Sequence, residues 1–78
     1  MEVHELGCIL KQMYNDCKYG EKAVMIHLFG IKYAEQIRNN KISIRDIVKI
    51  ADIKESYIVE INKGINLSRY VEVKSQFK

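Results

Sequence analysis

Residues 43–64, SIRDIVKIADIKESYIVEINKG, constrain this chain more than any other stretch, because they hold two short apolar-periodic runs hinged at ADIKES. Ser43 stands where a side-chain oxygen accepts from the orphan N–H groups of a first helical turn, and Asp46, three residues on, occupies the reciprocal position of a capping box. From that start Ile44, Ile47, Val48 and Ala51 fall on one side of a helix, with Arg45 and Lys49 together on the other. Asp52-Ile53-Lys54 makes the turn, with Ile53 tucked inward, and a second helix follows with Ile58, Ile61 and then Ile65 pointing to the core. Gly64 is placed to close this second helix in the left-handed conformation. Helices this short keep a fixed angle only when other elements brace them.

The bracing elements lie upstream. Val3, Leu6, Leu10, Met13, Tyr14 and Cys17 recur at three- and four-residue steps, which predicts an amphipathic helix over residues 3–17. Gly20 ends it, and Glu21 supplies an acid to the first turn of the next helix, where the helix dipole favours one. That helix, over residues 21–38, is apolar around most of its circumference: Val24, Leu28 and Ile31 form one stripe, and Ile26, Phe29, Tyr33 and Ile37 another. Two apolar faces mark a central helix. Gly30 within it costs roughly 1 kcal/mol of helix propensity, and its use is to admit another helix closely.

The expected fold class is therefore all-α, a four-helix small domain spanning residues 1–78, with helices at about 3–17, 21–38, 43–51 and 55–63. A short C-terminal extended strand or arm follows over residues 67–74, where Leu67, Arg69, Val71 and Val73 alternate with Ser68, Tyr70, Glu72 and Lys74. A lone strand leaves its backbone edge unpaired, so this segment either packs on its own helices or pairs with a second copy as a homodimer seam. Seventy-eight residues leave too little chain for a second core.

No apolar run approaches the roughly 18 residues that span a bilayer, and the start MEVHELGCIL is acidic where a signal peptide would be basic. A cytoplasmic location without membrane association is expected. Cys8 and Cys17 have no metal-type spacing and fall in one helix, so both are read as reduced core or boundary residues. Paired carboxylates, a glycine-rich phosphate loop, nucleophile–base spacing and a metal cluster are all missing from the pattern, which argues against an enzyme, a metal site and any cofactor. His27 has no helically spaced partner for metal or triad chemistry and is read as a boundary histidine satisfied by one hydrogen bond. Charge is more telling: residues 1–40 carry five basic and five acidic side chains, whereas residues 41–78 carry eight and five. The whole excess of +3 lies in the second half and favours an acidic partner there.

With Ser43 as cap, Asp46 at an acidic position, Ile47 and Ala51 as a buried pair, Ile53 in the turn, Ser56 opening the second helix and Ile58 with Ile61 inside it, residues 43–64 resemble the helix-turn-helix superfamily of repressors and small bacterial or phage regulators. More loosely, the stretch from Gly20 to Val73 resembles small helix-turn-helix-like proteins of prokaryotes. Two positions depart from the pattern, Val48 where the superfamily often has alanine and Asp52 where it often has glycine. Aspartate is among the few non-glycine residues that tolerate the left-handed conformation.

The resemblance implies double-stranded DNA as partner, with the second helix of the pair in the major groove. Its outer face is then Ser56, Val59, Glu60 and Lys63, flanked by Tyr57 and Glu55. Ser56 and Tyr57 can donate to bases or phosphates, Val59 can lie against a thymine methyl, and Arg45, Lys49, Lys54 and Lys63 supply phosphate-positioning charge. Glu60 is the awkward member, since phosphates repel it although a cytosine amino group can donate to it. The buried positions define the motif, so an alternative remains open: a non-catalytic adaptor that grips a protein partner with the same surface.

Overall fold

The computed structural model describes residues 2–74 of the chain, and all four expected helices form. They are α1 (Val3–Asp16), α2 (Lys22–Asn39), α3 (Ile44–Ala51) and α4 (Tyr57–Leu67). Glu2 caps α1 by accepting from the Glu5 N–H at 3.0 Å. Glu21 precedes α2 as its N-cap residue rather than lying in its first turn. No helix among the described residues is long and apolar enough to cross a membrane.

One core serves all four helices. Leu6 and Leu10 of α1, Ile26, Phe29, Ala34 and Ile37 of α2, Ile47, Val48 and Ala51 of α3, and Ile61 and Ile65 of α4 are buried together. Of the two apolar stripes expected on α2, the one with Ile26, Phe29, Tyr33 and Ile37 meets the core, whereas Val24, Leu28 and Ile31 lie outside the cluster and Val24 is exposed; Ile53 in the turn and Ile58 of α4 pack partly buried against the same cluster. α4 rests mainly on α2 and α3 mainly on α1, so the α3–α4 corner is held from behind by the two longer helices.

The ends of α2 and α3 share one closure. Lys41 and Asp52, at φ 53° and 59°, are the non-glycine residues with positive φ among the described residues. In each case the next residue, Ile42 or Ile53, donates its N–H back across the end, to Ile37 O at 3.0 Å and to Val48 O at 3.4 Å. The left-handed residue satisfies orphan carbonyls, and the isoleucine after it folds onto the core. Ser43 then caps α3, its Oγ accepting from the Asp46 N–H at 3.4 Å. Because a left-handed side-chain-bearing residue is held against its preference, Asp52→Gly is expected to stabilise the domain by about 0.5–1 kcal/mol. Removing a carboxylate from the C-terminal end of α3 adds to the gain. A rise of a few degrees in Tm, read by circular dichroism, checks it.

The helix expected to stop at residue 63 continues to Leu67, and Gly64 lies inside it rather than closing it. Ile65 extends the buried stripe of Ile58 and Ile61, so the apolar period runs past the glycine. Gly64 instead faces Gly30. A Cβ added at Gly30 would stand 2.6 Å from Ile61 O and 3.0 Å from the Gly64 Cα, and one added at Gly64 would collide with the His27 carbonyl oxygen. The two glycines let the α2 and α4 backbones touch, the close approach expected of Gly30.

The segment expected as an extended strand or arm from residue 67 forms no strand among the described residues. Leu67 ends α4, residues 68–70 turn, with the Tyr70 and Val71 N–H groups donating to Leu67 O, and residues 71–74 run without regular structure. Of the alternating apolar side chains only Val73 is buried, beside Met13, Met25 and Leu28, whereas Leu67 and Val71 are exposed. The period of two is thus not a shared face. Residues 75–78 lie outside the described residues.

Candidate nucleic-acid interface

α4 owes its orientation to two contacts made by its first turn, Tyr57 with Tyr14 of α1 and Glu60 with His27 of α2. Tyr57 packs edge-on against Tyr14 of α1, with ring centroids 5.5 Å apart. Its hydroxyl is hydrogen-bonded to Tyr14, and that bond, with burial, holds its pKa above the ordinary tyrosine value. Behind it the Lys22 ammonium sits over the Tyr14 ring, 4.0 Å from the centroid, and donates to Tyr14 O at 3.0 Å. Tyr57 therefore braces α4 from the inside instead of standing free on its outer face.

Glu60 is likewise turned aside. Its Oε1 lies 2.7 Å from His27 Nε2 on α2 and its Oε2 lies 3.2 Å from Lys63 Nζ. An ionised carboxylate can only accept, so the imidazole donates from Nε2–H. The His27 bond first, and the Lys63 bond after it, hold the Glu60 carboxyl below the usual glutamate range. Both side chains of the pair are largely covered, His27 at 32% and Glu60 at 26% exposure. His27 is thus the boundary histidine with one hydrogen bond that its surroundings implied. Glu60 occupies the flank of α4 that faces α2, next to the glycine crossing.

The remaining expected contacts do gather on one surface. Arg45 and Lys49 project from α3, Lys54 from the turn, and Ser56, Val59 and Lys63 from α4, and all six are exposed. Arg45 reaches Glu55 at 3.4 Å, but both ends of that pair are solvated, so it restrains the guanidinium weakly. Lys49 and Lys54 make no ion pair with any described residue. Ser56 precedes α4 without using its hydroxyl as a cap, because the Tyr57 and Ile58 N–H groups donate instead to Lys54 O and Glu55 O. Val59 is 56% exposed at the centre of the face.

Two residues absent from the expected set belong to this face. Asn62 and Asn66 are exposed on α4, one turn apart, and neither side chain makes a hydrogen bond to a described residue. Ending the helix at residue 63 hid Asn66, and giving the outer face to Glu60 hid Asn62. The signal that could have found them is Ile65, whose place on the buried stripe carries the helix past Gly64 and fixes its rotation.

The outer surface of the α3–α4 corner is therefore a strip of amides, one hydroxyl and one valine, edged by cations, with its one central carboxylate folded back on a histidine and a lysine. Such a surface offers donors to bases and phosphates, while Asp46 on α3 and Asp52 in the turn are exposed carboxylates that make no ion pair with a described residue. A family model described as an HTH-like domain matches residues 2–74. No curated protein and no solved structure matches the chain.

Proposed function

The chain belongs to the HTH-like domain family, and from that membership and the exposed face of α3 and α4 we propose that it is a small cytoplasmic DNA-binding protein, a transcriptional regulator. In this reading α4 enters the major groove of double-stranded DNA, and Arg45, Lys49 and Lys54 hold the flanking phosphates. Lys63 takes part while sharing its charge with Glu60, Ser56 donates to backbone or base, and Val59 meets a thymine methyl. Tyr57 and Glu60 act from behind, setting the angle and rotation of α4. The function is binding, with no catalytic step and no cofactor.

The observation that carries the proposal is the His27–Glu60–Lys63 arrangement, with its 2.7 Å and 3.2 Å contacts. The carboxylate that would have opposed phosphate binding is partnered and turned toward α2. One copy suffices for the contact described. Pairing of two copies through residues 67–74 would require Leu67 to leave α4 and Val73 to leave the core, so the proposal does not rely on a dimer. The adaptor reading draws on a different observation, the exposed Leu67, Tyr70 and Val71 at the far end of α4.

Titrating a mixed-sequence duplex with the full chain at stepped salt separates the two readings. Four engaged cations predict a slope of log K against log salt of roughly −3.6, hence about a 10²-fold loss of affinity between 50 and 200 mM. No binding at low salt, with no site recovered from random sequence, would remove the DNA reading and leave the adaptor.

A further inference from the structure

The withdrawal of Glu60 leaves the polar reading role on α4 to a different residue. Side chains two positions apart on a helix diverge by about 200°, so Asn62 stands on the flank opposite Glu60. Where Glu60 is drawn onto His27 at 2.7 Å, Asn62 is exposed and its amide makes no hydrogen bond to a described residue. It lies three residues after Val59 and beside Lys63, in the second turn of α4. A groove-inserted helix reads bases mainly with its early turns, which favours Asn62 over Asn66.

The chemistry of the two candidates differs in kind. A glutamate accepts only and selects the cytosine amino group; an asparagine amide both donates and accepts, and matches the adenine N7 and N6 amino group as a bidentate pair. We infer that Asn62, rather than Glu60, is the base-reading polar side chain of this protein, and that it selects adenine beside the thymine methyl met by Val59. His27 acts as a positioning residue in this scheme, because its Nε2–H holds the competing carboxylate off the face. The inference rests on the DNA-binding reading proposed above.

Selection from a random-sequence duplex pool, run with the full chain and with Asn62→Ala, tests it. Alanine is the better helix former and the position is exposed, so the variant folds. The wild-type chain is expected to recover sites with a required adenine. Asn62→Ala loses that preference and binds the selected site roughly 5- to 150-fold more weakly, the range of one bidentate base contact. Glu60→Gln, which removes the charge but keeps an acceptor for the His27 N–H, keeps the adenine preference. Retention of the same preference by Asn62→Ala, or a wild-type consensus centred on a Glu60-dependent cytosine, overturns the inference while leaving salt-dependent DNA binding in place. A wild-type chain that binds no duplex at low salt overturns both.

Discussion

Gly64→Ala should unfold this domain far more readily than any exposed substitution, with a loss of about 3 kcal/mol, at the upper end of the range for overpacking. The reason is what the new methyl would meet. Its neighbours are the His27 carbonyl oxygen and the Gly30 Cα, which are backbone atoms of α2 and have no rotamer to escape into. Alanine gains roughly 1 kcal/mol in helix propensity, but the backbones must separate to admit it, and with them goes the burial of Ile61 and Ile65. A domain of this length has about 4–12 kcal/mol to lose, so the change shifts Tm down by roughly 15 °C or more. Gly30→Ala should behave alike, since its methyl would stand 2.6 Å from Ile61 O.

Two other glycines calibrate the result. At Gly7 the obstructing atoms are the Ile50 Cγ2 and Cβ, the latter fixed to the α3 backbone, so a large loss is expected there as well. At Gly20 a methyl meets nothing, and only the left-handed φ of +83° opposes it, worth roughly 1 kcal/mol. Urea melts that rank Gly64, Gly30 and Gly7 well above Gly20 support the close-contact account. A Gly64→Ala protein melting within about 3 °C of wild type would mean that α4 does not lie on α2 at that point.

The second large effect falls on binding and not on folding. Replacing Arg45, Lys49 and Lys54 together by alanine removes three exposed cations from the α3–α4 surface, with little effect on stability expected from each. If each meets one phosphate, the salt slope becomes shallower by about 2.7, and affinity for duplex at about 0.1 M salt falls by about 10²- to 10³-fold. A charge-matched control takes the same three units from Lys11, Lys18 and Lys74, which are exposed outside the corner. Equal losses from both triple variants would show that net charge, and no particular face, attracts the duplex.

What could be read from sequence follows from the range of the forces involved. The α3 boundary is set by Ser43 and by Asp52 within a few residues of chain, so local chemistry marks both ends. The buried positions of α3 and α4 repeat at helical period, and that regularity also survives without tertiary information. Gly64 is different, because a glycine after a periodic run satisfies the rule for a helix stop equally well whether or not another backbone presses on it. Only its pairing with Gly30, across 34 positions of sequence, distinguishes the two uses. The outer face of α4 is hard to read from sequence for the same reason. His27 draws Glu60 aside from 33 residues away, and Tyr14 draws Tyr57 inward, so the two side chains on the margin of the outer arc are claimed by partners outside their own helix. Lys49 and Lys54 are exposed and have no such partners among the described residues, so their place at the surface is legible from sequence. Asn62 and Asn66 emerge once the rotation of α4 is known.

The central claim is that the outer surface of α3 and α4 is the one that meets DNA, and amide chemical-shift mapping tests it most directly. Isotope-labelled full-length chain titrated with a short duplex at low salt should show its largest shifts at Lys49, Lys54, Ser56, Val59, Asn62 and Lys63, with the amides of α1 nearly still. Shifts centred instead on Leu67, Tyr70 and Val71, or a spectrum that the duplex leaves unchanged, would contradict the account.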